Sequence, residues 1–392
     1  MREVAIVGVG QSRFGTVIDK SAKELFVEAF TEALNNVDKG IDPKEIGEIY
    51  VGNLGVGGGQ LGNFSSMIAD CVGLSGIPAV RIENACASSG FALRATVLAI
   101  ASGTCDVAVA GGVEKMNDIP RERLRYWLGV SGDTEWERLA GTTFAGVYAL
   151  MAVRHMHQYG TKREHLAMVA VKNHKNGADN PKAQFQRAIT FDQALNSPMV
   201  AYPLTLFDCC STTDGASAVI VCKAEIAKRY TDTPVYVLGH GAGTDTLAVF
   251  QRTDHTTLTA TVKAAGQAYK MARVEPKDID VAEVHDCFTI AEIMAYEDLG
   301  FCKKSEGGKL IEEGETQIGG RIPINPSGGL KAKGHPIGAT GTGQVYEIVK
   351  QLRGQAVKPS RQVSGAEVGL THNVGGSGAA AVVHILSVGE KK

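Results

Sequence analysis

The middle and the end of the chain close on the same kind of strand: Asp214-Gly-Ala-Ser-Ala-Val-Ile-Val-Cys222 and Gly376-Ser-Gly-Ala-Ala-Ala-Val-Val-His-Ile385. Small residues that run into β-branched ones let another backbone come close and then bury the strand on both faces. A repeated ending of this kind implies an internal duplication, so the 392 residues are expected to fold as two related halves. The first half opens on the apolar run Val4-Ala-Ile-Val-Gly-Val9. The second opens near Pro234 (PVYVLGHGAG), with the junction between Thr231 and Pro234.

Within each half, strands alternate with helices. Ala22, Leu25, Phe26, Ala29, Phe30, Ala33, Leu34 and Val37 repeat at helical spacing behind a Ser21-x-x-Glu24 capping box. Strands are expected at 48–52, 79–84 and 106–110, then a helix at 259–272 and a strand at 279–284. Such alternation is the mark of an α/β fold. Residues 115–205 break the rhythm: they are more charged, hold both tryptophans (Trp127 and Trp136) and read as helical. They are taken as an insertion. The expected domains are therefore 1–114 with 206–230, the inserted 115–205, and 231–392.

Several function classes drop out on simple grounds. Lys+Arg 40 against Asp+Glu 42 leaves a net charge of -2, with no basic excess to attract nucleic acid. Eight cysteines at irregular spacing, with no CxxC pair, fit neither a disulfide framework nor a zinc ribbon. The first residues lack the features of a secretory signal, and a cytoplasmic location is expected. Residues 368–389 carry no Asp, Glu, Lys or Arg, but they hold His372, Asn373, His384 and five glycines, so they read as strand, turn and strand and not as a membrane span. Gly8, Gly10 and Gly15 miss the G-x-G-x-x-G spacing of a dinucleotide loop.

Four segments carry chemistry. Cys86, in Asn84-Ala-Cys-Ala-Ser-Ser-Gly90, falls between a strand and a helix whose expected apolar face is Phe91, Ala95, Leu98 and Ala101. A thiol at a helix N-terminus faces free N–H groups and the positive end of the dipole, which should lower its pKa and make it a nucleophile. His335, in Gly334-His-Pro-Ile-Gly-Ala-Thr-Gly341, is held by a following proline among glycines that admit a ligand, as suits a catalytic base. His285 and Cys287, in His285-Asp-Cys-Phe288, follow a strand and tend to point the same way. Two ligands without a closing pair are too few for a metal site, and none is expected. His372-Asn373-Val-Gly-Gly-Ser-Gly378 reads as a Gly-rich turn suited to presenting backbone N–H groups.

Together these loops resemble the thiolase superfamily: NACASSG its nucleophile loop, GHPIGATG its histidine loop, HDCF and HNVGGSG the remaining two. The likeness extends to Val171-Lys-Asn-His-Lys-Asn176 and Asn180-Pro-Lys-Ala-Gln-Phe185, and so covers nearly the whole chain. Within the superfamily the chain is similar to sterol-carrier-protein thiolases and especially to archaeal acetoacetyl-CoA thiolases. It departs from bacterial biosynthetic thiolases where their N-E-A-F loop is HDCF and where His372 takes the place of the cysteine in their C-x-G loop.

The resemblance implies two βαβαβαββ halves in a five-layer α-β-α-β-α arrangement, with the inserted loop domain over the CoA site. It implies Claisen condensation of two acetyl-CoA to acetoacetyl-CoA and CoA, feeding the mevalonate pathway to isoprenoids. Cys86 would take the acetyl group, with His335 as base, and His285 with a water would hold the enolate oxygen. Backbone N–H groups of Cys86 and the 375–378 loop, with Asn373 and Gly376, would form the oxyanion site. Cys287 is expected to be the second acid/base, and Ser211 and Lys331 to contact the pantetheine or phosphate end of CoA. No cofactor is implied beyond CoA as substrate and product. Members are homodimers or homotetramers, and the archaeal ones associate with 3-hydroxy-3-methylglutaryl-CoA synthase through a small OB-fold protein. A decarboxylating β-ketoacyl synthase-like enzyme, a thiolase for longer 3-ketoacyl-CoA and a non-catalytic scaffold are the alternatives.

Overall fold

A computed structural model describes residues 2–389. In the first half, strands β1 (Val4–Gln11), β2 (Glu48–Gly52), β3 (Ala79–Ile82) and β4 (Val107–Glu114) alternate with helices α1 (Ala22–Asn35), α2 (Phe64–Cys71) and α3 (Ser88–Ser102). The chain then forms α4 (Arg121–Gly129), α5 (Phe144–Tyr159), α6 (Arg163–Ala178), α7 (Phe191–Leu195) and a hairpin of β5 (Met199–Ala201) with β6 (Leu204–Thr205). Strand β7 (Gly215–Lys223) completes the half. The second half runs β8 (Val235–Thr244), α8 (Thr259–Ala272), β9 (Val281–Glu283), α9 (Thr289–Asp298), α10 (Gly307–Glu312), α11 (Gly329–Ala332), α12 (Thr340–Leu352), β10 (Val368–Gly375) and β11 (Ala380–Ser387).

The duplication is visible in the strand order β3-β2-β4-β7-β1-β8-β11-β10-β9. Reading outward from the centre, β1, β7, β4 and β2 are matched by β8, β11, β10 and β9, with the same antiparallel and parallel pairings. The counterpart of β3 is reduced to one parallel bridge from Ala282 to Ile324. The halves join where Ala5 and Ile6 pair with Tyr236 and Val235.

Each half uses the same packing device. A Cβ on Gly10 would come 2.1 Å from Ala29 O, and one on Gly241 would come 2.0 Å from Ala264 O. Only glycine lets α1 and α8 lie that close to their strands. Gly8, where a Cβ would come 2.4 Å from Ala33 O, serves the same packing. The predicted capping box forms: Ser21 accepts from the N–H of Glu24, and Glu24 accepts from the N–H of Ser21.

Three apolar clusters separate five layers. One lies between α1, α2 and the first half's strands, and another between α8, α9 and the second half's strands. The third holds Leu93, Val97 and Ile100 of α3 with Val345, Ile348 and Val349 of α12, between the two sets of strands. Each such side chain contributes roughly 1.5–3 kcal/mol on burial. That middle position corrects one expectation. Phe91, Ala95 and Leu98, read as the apolar core face of α3, are its half-exposed side, whereas Leu93, Val97 and Ile100 point inward. A helix sandwiched between sheets is buried nearly all round, so periodicity does not identify its inner face.

Candidate active site

From β3 the chain turns sharply into α3. Ala85 sits at φ 48°, a left-handed conformation that costs a residue with a Cβ about 1–2 kcal/mol. The turn is held by Ala87 N–H donating to Asn84 O (3.0 Å), Ser88 Oγ donating to Ala85 O (2.6 Å) and Asn84 N–H donating to Ser88 Oγ (3.0 Å). Cys86 is left just ahead of the first helical turn, 7% exposed.

His335 occupies the matching place before α12. Its N–H donates to Thr213 Oγ1 (2.9 Å), and its Nδ1 lies 2.7 Å from Thr340 Oγ1. The Thr340 hydroxyl donates its own proton to Pro336 O (2.9 Å), so its oxygen accepts from His335 Nδ1–H. His335 Nε2 therefore presents a lone pair. The two helix starts touch: a Cβ on Gly341 would lie 2.2 Å from Gly90 N. This contact is what brings the nucleophile loop of one half to the histidine loop of the other.

Asn373 sets the second imidazole. Its Nδ2 donates to Cys86 O (3.0 Å) and contacts His285 Nδ1 (3.2 Å). An amide nitrogen only donates, so His285 Nδ1 accepts and the proton resides on Nε2, which is buried with no partner among the described residues. Cys86 Sγ and ring nitrogens of His285 and His335 lie within 4.8 Å of one another.

The electrostatics correct the expectation of a lowered thiol pKa. Burial pushes Cys86 up to about 12, with nearby Cys210 acting in the same direction, against N–H groups of Gly376 and of Cys86 itself. Burial also takes His335 down to about 3 and His285 well below its ordinary value. A neutral thiol thus faces two neutral imidazoles. At rest the thiol keeps its proton, and His335 Nε2 is a lone pair placed beside it.

Cys287 is buried, 6% exposed, beside Tyr148, whose hydroxyl donates to Gly376 O (3.3 Å) and whose ring stacks on Phe288 at 4.7 Å. Burial raises the Cys287 pKa well above that of a free thiol, with Cys210 and Cys86 adding to the effect. The loop that carries it is anchored by Asp286, which accepts from Leu330 N–H (2.7 Å) and Asn173 Nδ2 (2.8 Å). Glu114 ties the histidine loop to the first half, accepting N–H bonds from Leu54, Gly55, Val56 and Gly338. Thr213, Tyr148, Cys210 and Glu114 were not singled out in the sequence, and Thr340 was quoted in the histidine loop without a role. Isolated hydroxyls, a thiol and a carboxylate gave no motif of their own.

His372 and Asn373 belong to strand β10 and not to a turn; the turn begins at Gly376. Neighbours on a strand face opposite ways, so while Asn373 meets Cys86, His372 Nε2 bonds Thr261 Oγ1 on α8 (2.9 Å). Ser211 is half-buried and accepts from Gln184 Nε2 (3.2 Å). Lys331 is only 2% exposed, beside Cys209 and Cys210, with its Nζ unpartnered.

This fold and this cluster of loops define a thiolase. The family model "Thiolase, N-terminal domain" matches residues 4–225 and "Thiolase C-terminal domain-like" matches 241–388; the chain belongs to the thiolase family. It is similar to the acetyl-CoA acetyltransferase of Methanothermobacter thermautotrophicus, 51% identical over 99% of this chain and 100% of that one. The acetyl-CoA acetyltransferase of Methanocaldococcus jannaschii is 46% identical over 99% of each. Among solved structures, an Ltp2-ChsH2(DUF35) aldolase superposes with a TM-score of 0.85 at 26% identity, covering 98% of this chain and 97% of that one.

Proposed function

We propose that this thiolase is an acetyl-CoA C-acetyltransferase that condenses two acetyl-CoA to acetoacetyl-CoA and CoA. The observation that carries the reading is the pairing, around one thiol, of an imidazole offering a lone pair with an imidazole offering an N–H. Cys86 Sγ bonds to the acetyl carbon while its proton passes to His335 Nε2, which returns it to the departing CoA sulfur. Cys287, once its own thiol proton has left to solvent, takes a methyl proton from a second acetyl-CoA, and His285 Nε2–H holds the enolate oxygen. The new C–C bond forms as the Cys86 thiolate is expelled, and that thiolate takes a proton back from solvent. CoA lies under the inserted 115–205 segment, with Ser211 and Lys331 toward its pantetheine. The full-length likeness to two archaeal acetyl-CoA acetyltransferases supports the acetyl group as substrate.

The test is mass spectrometry after mixing with acetyl-CoA. An acetyl adduct is expected on the peptide holding Cys86 and is lost in Cys86→Ala; an adduct found only elsewhere sinks the reading. A second reading, cleavage of longer 3-ketoacyl-CoA, is favoured by a cavity of about 370 Å³ beside the nucleophile turn, lined by Asn84, Ala85, Gly376 and Leu247. Rates on 3-ketoacyl-CoA of increasing chain length separate the two.

Condensation of two thioesters is uphill, so the product should be consumed at once. On that ground we infer a complex with 3-hydroxy-3-methylglutaryl-CoA synthase through an OB-fold protein, at the head of the mevalonate pathway; the resemblance supports a dimer or tetramer, and the N-terminal sequence a cytoplasmic location. Separate elution of the three co-expressed proteins in size-exclusion chromatography would overturn the complex.

A further inference from the structure

Beyond the catalytic loops, α3 carries a second set of polar groups into the interior. Gly90 packs on β11, where a Cβ would come 2.6 Å from Val382 Cγ1. One helical turn on stands Arg94; two residues along the strand, on the same face, stands His384. A helical turn advances about 5.4 Å and two strand residues about 6.7 Å, so Arg94 falls over His384. The next step agrees, since Val97 and Ala101 share an apolar cluster with Leu386. His384 pairs in register with His240 of β8, their rings 6.4 Å apart. The two are 1% and 8% exposed.

Buried polar atoms nearly always have partners. Here Arg94 Nε, His240 Nδ1 and His384 Nε2 are all buried with none. Arg94 makes no ion pair among the described residues, and both imidazoles feel its charge. The buried Nε of Arg94 therefore lacks the acceptor that such a donor normally has. Arg94 is half-exposed on the same side of α3 as Phe91, Ala95 and Leu98, so an acceptor can enter from outside.

We propose that Arg94, His240 and His384 form an anion site, separate from the catalytic centre, that binds an oxyanion of the carboxylate or phosphate kind. The guanidinium fork takes one or two oxygens, and each neutral imidazole can place an N–H on the same group. The oxyanion comes either from solution or from an acidic side chain of a second copy docked on the half-exposed side of α3.

Calorimetric titration with inorganic phosphate in chloride buffer, together with sedimentation equilibrium, distinguishes the sources. For a dissolved ion, the wild-type chain binds phosphate saturably, and Arg94→Gln and His384→Gln each weaken binding by about tenfold or more, with Arg94→Lys between. For an acidic side chain of a second copy, phosphate binding is absent but Arg94→Gln weakens self-association by about tenfold. In every variant acetylation of Cys86 should persist, which reports an intact fold. The proposal fails if wild type and the variants match in both phosphate binding and self-association.

Discussion

His285 and His335 stand edge to face, their ring centroids 5.1 Å apart and their planes at 80°, with their protons on opposite nitrogens. Asn373 imposes one tautomer and Thr340 the other. Neither imidazole is charged at rest, so the site separates base from hydrogen-bond donor by hydrogen bonding alone.

The two partners should therefore fail differently. Thr340→Val frees the His335 tautomer and is expected to slow acetylation of Cys86 by about 10–100-fold. Asn373→Ala frees His285 and should lower the condensation rate by on the order of 100-fold while a larger share of acetylation survives. A quenched-flow burst followed by steady-state turnover measures both steps; equal loss of both in each variant would refute the division of labour.

A Cys86 thiol raised to about 12 is un-ionised at neutral pH. Only the thiolate is alkylated, so the iodoacetamide rate on free enzyme should climb about tenfold per pH unit from neutrality to about pH 10 without levelling. A plateau below pH 8 would mean a standing thiolate.

Cys287→Ala should still accept acetyl on Cys86 yet fail to exchange deuterium into the methyl group of acetyl-CoA. Burial keeps Cys287 protonated at rest, so it is ready to give a proton but must ionise to take one. Exchange in the wild-type enzyme should accordingly rise with pH. Unchanged exchange in the variant would move the role to His335, since His372 is turned toward Thr261.

One thiol and two imidazoles within 4.8 Å also make a soft-metal trap. Micromolar Zn²⁺ should inhibit, EDTA should restore activity, and Cys86→Ala should lose tight zinc binding. Zinc binding that is unaffected by Cys86→Ala would place the ion elsewhere.

The α/β class, the duplication and the loops of Cys86 and His335 were legible because small residues, glycine and proline mark where those loops are constrained, while His285 and Cys287 were legible from their place directly after a strand. Asn373 does its work through hydrogen bonds to Cys86 and His285 across long sequence distances, which no local pattern encodes, and the bond from Thr340 to His335 depends on how the loop between them folds. The orientation of His372 depended on strand register, where a shift of one residue reverses the face. The direction of the Cys86 pKa shift depended on how deeply the second half buries the thiol, and that outweighs the helix terminus beside it.

The donors that complete the nucleophile come from far along the chain: Asn373 lies 287 residues beyond Cys86, and Gly376 follows it. During synthesis the thiol therefore emerges long before the groups that make it useful. A ribosome-bound first half lacks both the cover that raises the thiol's pKa and the His335 and Gly376 groups around it, so Cys86 gains its surroundings in the site only when the second half folds onto it.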